Sequence, residues 1–148
     1  FAACLAHCGL PFHPEYMVTD AIDKTLVYDH DRILHALQSM PSMPEAFVCA
    51  NDNMAIISMK ALIELGYTVP QDIALVGFDN TVIGKMAIPS ITSVDVHCAA
   101  QAKACVKKLI TFIQHGEERV ERIVLPVSLA EGESVGVLKP EAEMEETD

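Results

Sequence analysis

The spacing of apolar positions changes twice between Pro44 and Asn80. Ala46–Ala50 is a short apolar run around Phe47 and Val48, the length of one buried strand. Asn51 and Asp52 follow at once, and both residue types cap helix N-termini. Met54, Ile57, Ala61, Leu62 and Leu65 then recur at three- and four-residue steps, the stripe of an amphipathic helix. Gly66 stops that helix, because glycine takes the left-handed C′ conformation freely, and Pro70 prevents its resumption. Ile73–Phe78 is a second apolar run, closed by Asp79. Strand, helix and strand joined this closely predict a right-handed crossover between parallel strands.

Parallel strands bring like ends to one edge of a sheet. Asn51 closes the first strand and Asp79 the second, so both are expected on the carboxyl edge, where open α/β sheets bind ligands. An amide and a carboxylate there supply donors and acceptors suited to hydroxyls or ring nitrogens. The plainer reading gives Asn51 or Asp52 a capping role and Asp79 a turn. On the residues alone both readings stand.

The flanking segments extend the α/β pattern. Phe1–His7 reads as the last turns of a helix closed near Gly9 and Pro11, and Tyr16–Val18 as a short strand. Thr25–Met40 reads as a helix with Ile33, Leu34, Leu37 and Met40 on its apolar face, capped by Asp23 or Thr25. His30 and His35 are expected on its solvated side. Asn80–Ser90 reads as a loop on the ligand edge and Ile91–Val96 as a buried strand or a crossover. Cys98–His115 carries the stripe Ala99, Ala102, Val106, Leu109, Ile110 and Ile113 of a third helix, ended by Gly116. Glu121–Leu125 and Val127–Leu129 read as strands. Gly132 onward reads as unstructured, the acidic tail, 135–148, as disordered, and Lys139–Asp148 as charged enough to stay solvated.

Composition narrows the function. The chain has 148 residues, 51% hydrophobic, with a formal net charge of −11 from 10 Lys+Arg against 21 Asp+Glu. That is one globular domain, and an acidic one lacks the basic face that phosphate contacts need. Its five cysteines, Cys4, Cys8, Cys49, Cys98 and Cys105, form no regular framework, which points to a reducing, cytoplasmic compartment. No apolar run reaches membrane-spanning length, and no secretory leader is read. No phosphate loop, zinc-ligand pattern or nucleophile elbow is present, so neither a metal nor another cofactor is expected. Asp52, Asp79 and Asp95 are the one conceivable acid–base set, but no motif supports catalysis, and the chain is not expected to be an enzyme.

Taken together, Ala50-Asn51-Asp52, Met54-Ala55, Ala61-Leu62, Glu64-Leu65-Gly66, Val69-Pro70, Asp72-Ile73 and Val76-Gly77-Phe78-Asp79 resemble the effector-binding core of the lactose-repressor/galactose-repressor family of transcription regulators. Pro89-Ser90-Ile91-Thr92-Ser93-Val94 resembles that family's proline–leucine–threonine–threonine segment, and Leu125-Pro126-Val127-Ser128-Leu129 its closing strand. The likeness runs from Phe1 to about Ser134. It implies a parallel sheet flanked by helices, the C-terminal part of a periplasmic-binding-protein-like class I domain, with residues 98–125 crossing to the other lobe. It also implies a small polar effector, most often a sugar, sugar phosphate or nucleobase, with a sugar the first expectation, contacted by Asn51 and Asp79. A homodimer is implied too, and DNA binding only through a helix-turn-helix headpiece outside this chain. An effector-contacting arginine is expected upstream of Phe1. Many relatives carry another arginine near Gly132, where this chain has Glu131-Gly132-Glu133-Ser134. Two alternatives are a periplasmic sugar-binding protein of the same fold and a sensor module of a signalling enzyme. A leader upstream, or the sequence beyond Asp148, would discriminate them.

Overall fold

The computed structural model describes residues 1–18, 21, 22, 25, 26, 28–116 and 121–136. In chain order the elements are α1 (Ala2–His7), a 3-10 turn (Pro14–Tyr16), β1 (Ala21–Ile22), β2 (Thr25–Leu26), α2 (His30–Gln38) and β3 (Ala46–Val48). There follow α3 (Asp52–Glu64), β4 (Ala74–Phe78), α4 (Val82–Met86), β5 (Thr92–Asp95), α5 (Cys98–His115) and β6 (Ser128–Ala130). The fold is mixed α/β. β3, β4 and β5 pair in parallel, with Phe47 opposite Leu75 and Gly77 opposite Ser93. β6 closes the four-stranded sheet antiparallel to β5, and β1 and β2 form a separate antiparallel pair.

The strand–helix–strand unit forms as its pattern predicts. Asn51 caps α3 by accepting the Met54 amide at 2.9 Å, and Gly66 follows its end at φ +90. The buried arc of α3 is wider than its apolar stripe and rotated from it. Ala55, Ser58 and Met59 are buried with Ala61 and Leu62, whereas Met54, Ile57 and Leu65 are half-buried. The helix has two fronts to cover, because it packs against α2 and also against β4. The core is accordingly shared by Ile33 and Leu37 of α2, Met59 and Leu62 of α3, and Ile73 and Leu75 at β4. Burial of each such side chain contributes roughly 1.5–3 kcal/mol.

Several elements differ from expectation. α2 starts at His30, not Thr25, because Asp29 accepts the amides of Asp31 and Arg32; Thr25 lies in β2, and Asp23 lies outside the described residues. His35 is exposed as expected, but His30 is half-buried, with Nε2 3.4 Å from Glu64 of α3. Tyr16 ends a 3-10 turn rather than starting a strand, since Pro14 presets a helical φ at its first position. The loop after Asp79 contains α4, whose cap is the Thr81 hydroxyl on the Gly84 amide. Residues 121–127 form no strand; the closing strand begins at Ser128, where β5 offers an edge.

The segment from Gly132 is ordered by the core instead of hanging free. Ser134 is fully buried, and its hydroxyl donates to the Leu75 carbonyl at 2.6 Å and accepts from the Thr92 amide at 2.9 Å. The Leu75 amide in turn donates to the Ser134 carbonyl. Ser134 thus extends the β4 ladder past the start of β5. Glu133 accepts from the amide and hydroxyl of Ser90. A Cβ on Gly132 would lie 2.6 Å from the Ile91 carbonyl carbon, so this backbone path admits no arginine there. Of the expected tail, 135–148, the part from 137 onward lies outside the described residues.

α5 spans the expected residues and ends at Gly116 with φ +62. None of its residues is buried. Val106, Leu109, Ile110, Phe112 and Ile113 are each about half exposed or more, so the stripe does not pack against α3 or the sheet. Among the described residues no helix is long and apolar enough to cross a membrane.

Candidate functional site

β3 and β4 are adjacent and parallel, so the chain leaves both at the same edge, at Asn51 and at Asp79. Asn51 is divided between two tasks. Its Oδ1 is committed to the α3 cap, while its Nδ2 donates to the Tyr28 hydroxyl at 2.9 Å. The capping reading is therefore correct for the oxygen, and the amide nitrogen is what remains for the edge. Tyr28 is 44% exposed beside it.

Asp79 and Asn80 both have positive φ, +92 and +49. Aspartate and asparagine tolerate this region better than other residues with a Cβ, and such turns cluster at ligand sites. Three successive amides are drawn inward here. Asp79 N–H donates to the Val94 carbonyl, Asn80 N–H to the Ser93 hydroxyl at 3.0 Å and Thr81 N–H to Asp52 at 2.6 Å. The Asp79 carboxylate is exposed and makes no hydrogen bond or ion pair among the described residues.

Asp95 closes the other side of the turn. Its Oδ2 accepts from Asn80 Nδ2 at 2.8 Å, and its Oδ1 from the His97 amide at 2.7 Å. The His97 amide first, and Asn80 second, hold its carboxyl below the usual carboxylate range. A carboxylate lowered on folding contributes stability above its unfolded pKa and loses it as pH falls through the lowered value. His97, at φ +52, lies 3.4 Å from Asp95 through Nδ1 and 3.3 Å from the Ser128 hydroxyl through Nε2. It links the end of β5 to β6.

The three aspartates do not form an acid–base set. Asp52 is fully buried and already accepts from Thr81 N–H, the Thr81 hydroxyl and the Ser93 hydroxyl. Asp95 has both oxygens engaged, and of the three only the exposed Asp79 accepts no hydrogen bond among the described residues. Cys49, just past the end of β3, is buried, and burial pushes its thiol up to about 11. All five cysteines are free, and the described residues contain no cluster of three metal-binding side chains.

Sequence reasoning passed over Tyr28, Asn80, Ser93 and His97. Asn80 carried a signal, since two consecutive Asx residues after a strand favour a left-handed turn. Tyr28 carried none and Ser93 only its place in the Pro89–Val94 segment, because their partners lie 23 and 41 residues away.

The family model described as "Periplasmic binding protein-like domain" matches residues 1–135. The chain is 31% identical over 109 residues to the NTD biosynthesis operon regulator NtdR of Bacillus subtilis (strain 168), covering 73% of this chain and 33% of that protein. It is similar in structure to a LacI-type transcription regulator from Bifidobacterium animalis subsp. lactis, with 25% identity, a TM-score of 0.79, and coverage of 91% of this chain and 48% of that one. It is also similar to the lac repressor dimer bound to operator and the anti-inducer ONPF, with 28% identity, a TM-score of 0.64, and coverage of 72% and 36%. The chain spans about a third of the length of the curated relatives it matches.

Proposed function

We propose, from the premise that this chain belongs to the periplasmic-binding-protein-like domain family, that it is the effector-sensing part of a ligand-responsive transcription regulator of the lactose-repressor/galactose-repressor type. The observation that carries the reading is the exposed, unpartnered Asp79 carboxylate, held in a left-handed turn on the edge that also carries Asn51. A carboxylate and an amide N–H suit a polyhydroxylated effector, and a sugar is the class proposed. DNA is contacted through a headpiece outside this chain, since a net charge of −11 opposes binding of these residues to a phosphate backbone. Five free cysteines favour a cytoplasmic setting.

Residues 98–125 belong, on this reading, to a second lobe. Support comes from the α5 stripe: a five-residue apolar face without cover is the kind of patch that marks an interaction surface. The effector then lies between lobes, and this chain alone binds it poorly or not at all.

Asp79→Asn in the complete regulator is the direct test. Asparagine keeps the tolerance for φ +92 that alanine lacks, so the charge is removed with little change in the backbone. Calorimetric titration with a panel of mono- and disaccharides should show the binding sugar losing about 1.5–3 kcal/mol, the scale of a hydrogen bond to a charged group. Unchanged affinity would reduce Asp79 to a turn residue.

A homodimer needs an apolar surface, and α4 offers one. Val82, Ile83, Met86 and Ile88 are all exposed, Met86 at 74% and Ile88 at 88%, within seven residues. Met86→Glu combined with Ile88→Glu should shift the complete regulator from dimer to monomer in sedimentation, without loss of helical signal. A dimer that survives both changes has its interface elsewhere.

A further inference from the structure

We infer that Asp52 is the positioning residue of the effector edge. From beneath the sheet edge its buried carboxylate holds the Asp79–Asn80 turn in its left-handed conformation, acting through Ser93 and Thr81. The inference rests on the effector reading for its purpose, and on the hydrogen-bond geometry for its substance.

Asp52 is 0% exposed, so it touches no ligand. It occupies the first turn of α3, where a negative group suits the helix N-terminus. A slot is cleared for it by two glycines: a Cβ on Gly84 would lie 2.8 Å from its Oδ2, and one on Gly77 would collide with its Oδ1. Into that slot come donors from two other elements. Ser93 of β5 donates its hydroxyl to Oδ1 at 2.6 Å, and Thr81 donates its amide and hydroxyl to Oδ2 at 2.6 and 2.9 Å.

A carboxylate acts here only as an acceptor, and this fixes the direction of every bond around it. A hydroxyl has one proton. With Ser93's proton given to Asp52, its oxygen faces the Asn80 amide as an acceptor, at 3.0 Å. With Thr81's proton given to Asp52, its oxygen accepts the Gly84 amide at 3.1 Å and caps α4. Two relays therefore run inward, from Asn80 and from Gly84, and both end on one carboxyl group. Together with the direct bond from Thr81 N–H they secure the residues just after Asp79. A left-handed pair costs on the order of 1–2 kcal/mol per residue and persists only when its surroundings over-determine it. Of that pair Asn80 is held by this network directly, and Asp79 is held between it and its own amide bond to the Val94 carbonyl.

Amide hydrogen exchange on the full chain tests this without any ligand. In Asp52→Asn the side chain presents an N–H₂ where an acceptor is required, and the relays lose their direction. Exchange at Asn80 and Thr81 should quicken about tenfold or more relative to Cys49 and Leu75, whose amides donate to Val76 and Ser134. Ser93→Ala leaves Asp52 in place and serves if Asp52→Asn fails to fold. It should quicken Asn80 by a similar factor while Thr81, bonded directly to Asp52, stays protected. Equal acceleration at all four amides, or none at Asn80, would overturn the inference, because a merely structural Asp52 loosens the domain as a whole. Failure of the effector reading shows separately, in the Asp79→Asn titration, and leaves this pattern intact.

Discussion

Gly77→Ala is expected to destabilise the chain by about 3 kcal/mol, the top of the usual range for overpacking. One methyl group suffices because the Cβ itself has no room. It would collide with Asp52 Oδ1 and lie 3.0 Å from Ile91 Cγ2 and 3.3 Å from the Asp52 Cα. Asp52 cannot swing aside, since three donors hold its two oxygens. Relief requires either that α3 lift from β4 or that those bonds break, and each buried donor or acceptor left unpaired costs about 1–3 kcal/mol. Gly66→Ala is the informative contrast. Its φ of +90 is unfavourable for alanine, but a Cβ there meets nothing within 4 Å. It should cost only about 1–2 kcal/mol, from backbone conformation alone. Urea unfolding followed by circular dichroism measures both. A Gly77→Ala chain within 0.5 kcal/mol of its parent would mean that the Asp52 slot is looser than described.

Ser134→Ala is expected to cost about 2–4 kcal/mol, although it removes a single oxygen. That oxygen serves two backbone groups, the Leu75 carbonyl and the Thr92 amide, in a site with no exposure. Alanine fills the space but leaves both groups without these partners. The backbone bonds of residue 134, to Ser90 and from Leu75, remain in the variant, so the loss reports the hydroxyl alone. The same unfolding curve decides it. A loss below 0.5 kcal/mol would show that residues 132–136 lie on the domain without helping to hold it together.

The strand–helix–strand unit was legible because its signals are local. An apolar run, an Asx cap, a three- and four-residue stripe and a glycine stop follow one another within a few turns, and each acts on its immediate neighbours. The same signals put Asn51 and Asp79 on one edge, and the residue order they belong to is that of the periplasmic-binding-protein-like family matched over residues 1–135. α5 was legible for the same reason, from its stripe and Gly116. Where several local candidates competed, the sequence could not choose. Asp23, Thr25 and Asp29 are all caps by type, and Asp29 serves because the chain reaches the α2 start there. Glu121–Leu125 has strand composition but no strand, since pairing needs an edge and β5 meets the chain only at Ser128.

What only the tertiary structure decided rests on partners distant in sequence. Ser134 bonds across 42 and 59 residues, and Asp52 across 29 and 41. Nothing near Ser134 marks it as buried, so its segment read as unstructured. Asp52 read as a cap or an acid, and became a buried acceptor only when α3, β4 and β5 closed around it. Local chemistry determined which elements form and which edge they share. Packing determined which polar groups on that edge are sealed inside and which, like Asp79, are left open, because burial depends on what the folded chain brings alongside.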